Sequence, residues 1–428
     1  MPTTPTFLDG VTLAVNSVPD IHVILNCPSC GLDKPGKVAV NHDWGSRMLD
    51  IRHRHHFHYT TLEANDLVLG SEARVVRTAR SVAKQTPSLV LLVDSSATLL
   101  MGDDLEATCA EMERETGIPM AVIPSATLSG DWLDGYAVTA ETLARLVQPG
   151  NTVARPGTVA MVGFLFDRFE GDARANAEEL RRLLAGLGLE AIPGWLDGSE
   201  WSQVNGLAQA ERIVAMPWAR GSAAVLARRL GRPVVEVGAP VGLEGTASWV
   251  RAVAAACGRG DAAEDFIDRE IGNAVRRLEW PVRNTIANRG IAIVADPYVA
   301  EGLIQFVTSM GMQVRSVALH TRKLAAAKAT EDALEVAGQS QRVLVDPSYA
   351  ELESEWSRLN AEGRLDVIVG TGNERDAAKM TGLPYLELGF PCYLRHAIFD
   401  APWAGFRGAL WLADRLVQLL MEREYLSY

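Results

Sequence analysis

Two cysteines three residues apart, Cys27 and Cys30 in Cys-Pro-Ser-Cys, carry the strongest chemical signal in the chain. They follow a short apolar run, His22–Asn26, that reads as a buried strand, so both thiols fall on the loop leaving its carboxyl end. Soft thiolates suit an iron–sulfur cluster, a zinc ion or redox chemistry, and the spacing alone does not choose among them. Zinc would want a second pair, which Cys109, Cys257 and Cys392 do not supply. A thioredoxin-type couple stays open because the motif precedes α/β structure. The bland alternative is a pair of small buried apolar side chains. Cys109 and Cys257 lie in helical stretches and Cys392 follows Gly-Phe-Pro; all three read as core.

Other polar groups gather nearby in sequence. Ser96, in Asp94-Ser95-Ser96-Ala97 at the end of a second strand, offers an oxygen that can bind oxidised iron but more often caps a turn. Four of the eight histidines fall in Arg52–His58: His53, His55, His56 and His58. Such a tract suits a metal, a basic wall facing an anion, or proton donation near neutral pH, and equally a solvated loop. Gly102-Asp103-Asp104 opens a helix, where carboxylates favour the positive end of the dipole. Neither G-x-x-x-x-G-K-[ST] nor a helix-opening G-x-G-x-x-G occurs, so ATP hydrolysis, if the system uses it, belongs to a separate protein.

The elements that must position these groups alternate apolar β-branched runs with amphipathic helices, the pattern of βαβ units with parallel sheets. One series of strands is His22–Asn26, Leu89–Asp94 and Met120–Pro124; a second is Thr158–Phe164, Arg212–Met216 and Pro233–Val237. A third is Gly290–Asp296, Gln313–Leu319, Gln341–Asp346 and Asp366–Gly370. Leu180, Leu183, Leu184 and Leu187 stripe one face of a helix over Ala173–Gly186, and a long polar helix is expected over Ala263–Leu278. Gln148-Pro149-Gly150 with Arg155-Pro156-Gly157, and later Trp280-Pro281 with Asn288-Arg289-Gly290, punctuate the series. The expected fold class is α/β: three Rossmann-like domains with mostly parallel sheets, over residues 1–150, 151–285 and 286–428, the last with a C-terminal helix.

Composition narrows the role. The 428 residues carry 41 Lys+Arg against 53 Asp+Glu, a net charge of −12, which disfavours nucleic acid. Five scattered cysteines do not form a secreted disulfide framework. No leader is legible in Met1–Gly10 and no apolar run reaches membrane-spanning length, so a cytoplasmic protein is expected.

Several segments together resemble one family. They are Leu62–Ser71, Pro87–Asp94, Gly102–Leu105, Pro240–Ala247, Gly290–Phe306, Gly389-Phe390-Pro391 and Pro402–Ala409, in this order. Their joint order and spacing resemble the β-type subunits of the nitrogenase component 1 superfamily over roughly Val18 to Leu420. That superfamily includes nitrogenase, its cofactor-assembly scaffold, the dark-operative protochlorophyllide and chlorophyllide reductases and methylthio-alkane reductase. The resemblance implies three Rossmann-like domains and an α2β2 complex with an α-type subunit. It also implies an ATP-dependent iron protein that docks and passes electrons into an iron–sulfur cluster shared with the α subunit.

The family's β-side ligand, a cysteine or in one branch an aspartate, aligns with Gly31, one residue past Cys30. Cys30, and with it Cys27, are therefore the cluster ligands that the resemblance implies. A second family cysteine falls on Ser96, and no cysteine precedes Asn26 to stand for a third. A 4Fe-4S cluster, or a P-cluster-like one with altered ligation, fits this set. The family also places the histidine tract near the cofactor-bearing partner and the Gly102 helix beside the docking face. The resulting expectation is an oxidoreductase subunit with its active site mainly on the α partner, methylthio-alkane reduction leading. The chain looks short for a protochlorophyllide reductase β subunit, which usually extends further. The alternatives are a (proto)chlorophyllide reductase subunit, a non-catalytic cofactor-assembly scaffold and a thiol redox protein.

Overall fold

A computed structural model describes residues 3–28, 56–148, 152–165, 171–392 and 399–426. Cys30, His53 and His55 lie outside the described residues.

The first layer begins with a helix that the sequence caps itself. Thr6 donates its backbone N–H and its hydroxyl to Asp9 Oδ2, at 2.6 and 2.8 Å, opening α1 (Phe7–Asn16). β1 (Ile21–Asn26) is buried throughout. β2 (Phe57–Tyr59) pairs with it in parallel, from Val23 opposite Phe57 to Leu25 opposite Tyr59. α2 (Asp66–Leu69) and α3 (Glu72–Ala83) lead to β3 (Leu89–Asp94), which runs parallel to β1 with Asn26 opposite Asp94. α4 (Leu105–Thr116), β4 (Met120–Val122) and α5 (Trp132–Leu146) complete the layer.

The strand order β2-β1-β3-β4 reverses direction between β1 and β3. Val75, Ala79 and Val82 of α3 and Leu105, Cys109 and Met112 of α4 pack on Ile24, Val90 and Leu92 of the sheet. Each aliphatic side chain so enclosed contributes about 1.5–3 kcal/mol relative to exposure. Helices α1 and α5 meet backbone to backbone at two glycines. A Cβ on Gly10 would lie 1.8 Å from the Trp132 carbonyl oxygen, and one on Gly135 1.9 Å from that of Phe7.

The second sheet comprises β5 (Arg155–Val162), β6 (Glu190–Ile192), β7 (Ala210–Ala215) and β8 (Val234–Glu236), in the order β6-β5-β7-β8. Helices α6 (Gly171–Gly186) and α7 (Arg220–Leu230) fall between its strands in sequence, and the leucine stripe of α6 is buried as expected. Arg155-Pro156-Gly157, expected as punctuation, is instead the first part of β5. A register shift between Arg155 and Val159 accommodates a proline that cannot donate to the ladder.

α8 (Gly242–Ala256) and α9 (Gly260–Pro281) follow, the latter running into a π-helical turn at Val282–Ile286. The third sheet takes β9 (Gly290–Ala295), β10 (Gln313–Leu319), β11 (Val343–Val345), β12 (Val367–Gly370) and β13 (Tyr385–Glu387), in the order β11-β10-β9-β12-β13. Interleaved are α10 (Pro297–Ser309), α11 (Leu324–Val336), α12 (Tyr349–Ala361) and α13 (Arg375–Thr381); α14 (Gly405–Leu426) closes the chain's described part. Asp296 starts α10 by accepting from the N–H groups of Tyr298 and Val299, at 2.9 and 3.1 Å.

Three parallel-sheet α/β layers thus appear, as the alternating pattern implies. They are distributed over two compact units, Thr6–Phe169 with Ala191–Val235, and Met1–Pro5 with Glu170–Glu190 and Glu236–Tyr428. No helix among the described residues is long and apolar enough to cross a membrane.

Candidate functional site

In open α/β sheets, ligands sit beyond the carboxyl ends of the strands where the strand order reverses. In the first sheet that point lies between Asn26 and Asp94. Asn26 is completely buried and its side chain is fully engaged. Its Nδ2 donates to Asp94 Oδ1 and to Ser71 Oγ, both at 2.8 Å, and its Oδ1 accepts from the Thr60 hydroxyl at 3.0 Å. Ser71 in turn donates its N–H and hydroxyl to Asp103 Oδ2, at 2.8 and 2.6 Å. The Asn26 carbonyl takes the Thr98 hydroxyl at 2.7 Å and the Ser95 N–H at 3.0 Å. Burial pushes the Asp94 carboxyl above the usual carboxylate range, opposed by hydrogen bonds from Thr98 and Asn26 and aided by the charge of Asp103.

Cys27 leaves this network directly. It is completely buried; its N–H donates to the Thr60 hydroxyl at 3.0 Å and its carbonyl accepts from Leu62 N–H at 3.0 Å. Tyr59, opposite Leu25 on β2, has a buried hydroxyl with no hydrogen-bond partner among the described residues. Burial, and secondarily the charge of a Cys27 thiolate, push its phenol far above the ordinary range. Ser96 is exposed just beyond β3. Cys109 and Cys392 are buried, as core residues should be, and burial with Glu113 and Glu106 pushes the Cys109 thiol up to about 12. Cys257 is only half-buried, because it caps the end of α8 instead of lying inside it.

The described part of the histidine tract, His56 and His58, is not a solvated loop. His56 is completely buried and its carbonyl accepts from Val23 N–H at 2.9 Å, because β1 needs a partner on this edge. His58, inside β2, places Nε2 2.9 Å from Nδ1 of His22 on β1, their rings stacked 5.0 Å apart. The His56 ring lies 5.1 Å from His22 and its Nδ1 is 3.1 Å from the Ile21 carbonyl. One imidazole must donate and the other accept across such a contact, so both cannot be protonated there. His22 escaped the sequence reading because it was counted only as part of an apolar strand. Asp103 and Asp104 also divide their roles: Asp104 caps α4 by accepting from Ala107 N–H at 2.9 Å, while Asp103 turns to Ser71.

The donor set admits a share in a metal cluster but not a complete site. Among the described residues no three His, Cys, Asp or Glu side chains converge to hold a metal ion. A buried thiol at the sheet's reversal point, beside an orphaned buried phenol, nevertheless fits the edge of a thiolate-ligated group whose remaining ligands come from elsewhere.

A family model described as nitrogenase component 1 type oxidoreductase matches residues 7–421. The chain belongs to this family. Its relatives mark it as a nitrogenase-like β-type subunit. A light-independent protochlorophyllide reductase chain of Methylobacterium sp. (strain 4-46) is 28% identical, over 85% of this chain and 70% of the relative. The nitrogenase vanadium-iron protein beta chain of Trichormus variabilis is 23% identical over 86% of this chain and 84% of its own. The iron-molybdenum cofactor biosynthesis protein NifN of Nostoc sp. is 22% identical over 83% and 80%. The solved structure "Nitrogenase Cp1 at pH 6.5" superposes with a TM-score of 0.83 at 16% identity, over 99% of this chain and 93% of that one, which establishes the shared fold. The family thus spans reductase subunits and an assembly protein, and supports an oxidoreductase complex as this chain's setting.

Asn26 and Ser71 are the functional candidates that sequence reasoning missed. An asparagine ending an apolar run, followed at once by a cysteine, was the available signal; its partners 45 and 68 residues away were not visible.

Proposed function

We propose that this chain is the β-type subunit of a nitrogenase-like, multi-electron reductase, paired with an α-type subunit in an α2β2 complex. An ATP-dependent iron protein would supply its electrons. Cys30 would ligate an iron–sulfur cluster shared with the α subunit, with Cys27 beside it and Ser96 across the same sheet edge. When bound, such a cluster accepts and releases single electrons. The chain's part is to anchor the start of the ligand segment: Asn26, the residue before Cys27, is fastened to Asp94 of β3, to Ser71 and through it to Asp103. That buried polar network at the reversal point is the observation on which the reading rests.

The leading substrate is a methylthio-alkane, whose carbon–sulfur bond takes two electrons and two protons to give a thiol and a hydrocarbon. The serine at Ser96, where the family resemblance places a cysteine, favours it over nitrogenase chemistry. A tetrapyrrole is the next candidate, given the similarity to protochlorophyllide reductase chains. Purification under anaerobic conditions with the α-type subunit, followed by iron and sulfide analysis, tests the cluster. Iron should be present and should fall in Cys30→Ala; an iron-free complex with an intact fold would remove the reading in favour of a dithiol protein.

A cofactor-assembly scaffold is the second reading, supported by the similarity to NifN. Assay with the iron protein, ATP and each substrate separates the two. Turnover supports the reductase, whereas no turnover with release of a cluster to an acceptor protein supports the scaffold.

A further inference from the structure

At the outer edge of the third sheet, a pocket of about 400 Å³ opens between α13, α14 and the edge strand β13. Its charged lining is Arg375, Lys379 and Arg415 with Glu387. Arg375 and Lys379 stand one helical turn apart, so they project from the same face of α13. Among the described residues neither has an ion pair or a side-chain hydrogen bond, and Arg415 bonds only the neutral side-chain oxygen of Gln418, at 2.5 Å. Lys379 is exposed while Arg375 and Arg415 are half-buried. Three cations face one carboxylate, which leaves the pocket with an excess of two positive charges.

The floor is of another kind. Leu383 and Leu386 are buried, and Tyr385 contributes its ring while its hydroxyl is spent on the Thr371 carbonyl. A bare inorganic anion would leave this apolar surface wet, and a neutral apolar molecule would leave the cations unanswered. The volume sits near the lower end of the range for small-molecule sites, larger than a phosphate ion needs.

We propose that this pocket binds a small organic phosphate ester of about nucleotide size, its dianionic head between Arg375, Lys379 and Arg415 and its body on Leu383 and Leu386. A guanidinium matches two phosphate oxygens with its planar fork, and a lysine adds a mobile point charge. A phosphomonoester carries close to two negative charges at neutral pH, which matches the excess. The site lies in the unit that does not contain Cys27, so it stands independently of the cluster reading.

The test is isothermal titration of the full-length chain with AMP, adenosine and inorganic phosphate. AMP should bind saturably, and both adenosine and inorganic phosphate at least tenfold more weakly. Arg375→Gln/Lys379→Gln should weaken AMP at least tenfold while the thermal midpoint stays unchanged, since neither side chain has an ion pair or side-chain hydrogen bond among the described residues to lose. Higher salt should weaken AMP and leave any adenosine binding alone. The proposal is overturned if AMP does not saturate, if the double variant binds it normally, or if inorganic phosphate binds as tightly as AMP. It is also overturned if a glutamate-rich peptide competes with AMP at equal affinity, which would make the occupant a protein segment.

Discussion

Ser71 gives both its backbone N–H and its hydroxyl to one oxygen of Asp103, at 2.8 and 2.6 Å, while its own oxygen accepts from Asn26. The Gly-Asp-Asp turn is thereby joined through one serine to the residue preceding Cys27. Ser71→Ala removes a charge-assisted bond and strips the Asn26 amide of an acceptor. A loss of about 1.5–3 kcal/mol follows. Urea unfolding should show a lower midpoint at unchanged slope. Asp103→Asn, which keeps an acceptor for Ser71, should cost less. Equal losses would mean that a neutral acceptor is no substitute and that the charge on Asp103 carries the interaction.

Asp94 sits across from Asn26 with its carboxyl held above the usual range, chiefly by burial. Because the folded pKa exceeds the unfolded one, the folded state holds the proton more tightly. The associated stability is therefore present in acid and lost as pH rises through the folded pKa. Asp94→Asn mimics the protonated group and retains an oxygen for Asn26. It should be more stable than the parent at pH 8, with the margin closing as pH falls below the folded pKa. Denaturant midpoints across that range check the sign; a parent advantage that grows with pH would reverse it.

Gly10 and Gly135 allow α1 and α5 to touch through their backbones, with no room for a methyl group on either side. The blocking atoms are carbonyl oxygens, which cannot rotate aside as a side chain could. Gly10→Ala or Gly135→Ala should each cost about 3 kcal/mol or more, above the ordinary range for overpacking. The double variant should cost less than the sum, since one separation of the helices relieves both clashes. Strict additivity in thermal or urea unfolding would show that the two contacts are independent.

What could be read from the sequence depended on the length of each signal. β1, β3, β9 and β10 are runs of six or seven mostly apolar residues, and each appears within a residue of its expected place. β6 and β13 have three residues apiece and, unlike the equally short β4, β8 and β11, lie in no β-branched run, so they escape the sequence reading. β2 was hidden because Phe-His-Tyr carries no apolar run; it is a strand through pairing with β1, a tertiary cause. The site shows the same division. Cys27 stood out by type and spacing, whereas Asn26 became significant only when folding brought Ser71 and Asp94 to it.

The Glu179 side chain is 1% exposed and binds Arg182 through two parallel bonds at 2.7 and 2.8 Å, while accepting the Arg407 N–H at 3.2 Å where α14 begins. Asn176, one turn earlier, accepts from the N–H groups of Trp403 and Ala404 at 2.9 and 3.0 Å. Glu179→Ala leaves Arg182 with Glu270 alone and opens a cavity beside the first turn of α14. Because Arg182 keeps Glu270 and is partly exposed, the loss should be about 1.5–3 kcal/mol, the range for hydrogen bonds to charged groups. Amide exchange in the first turn of α14 should accelerate before global unfolding; uniform acceleration across the chain would argue against a local role.

Tyr59 offers the sharpest link between stability and the proposed cluster. Its buried hydroxyl lacks an acceptor among the described residues, and an unmet buried donor costs about 1–3 kcal/mol. Tyr59→Phe removes the donor and keeps the ring, so the iron-free chain should become more stable by about 1 kcal/mol, read as a higher thermal midpoint. In the iron-loaded complex the hydroxyl would have sulfur to donate to, and the gain should vanish. Hydrogen bonds to cluster sulfur raise the reduction potential, so that of Tyr59→Phe should fall below the parent's in a redox titration. A potential that does not move, with the stability gain kept after iron loading, would place the cluster out of reach of Tyr59 and weaken the assignment of the Cys27–Cys30 loop.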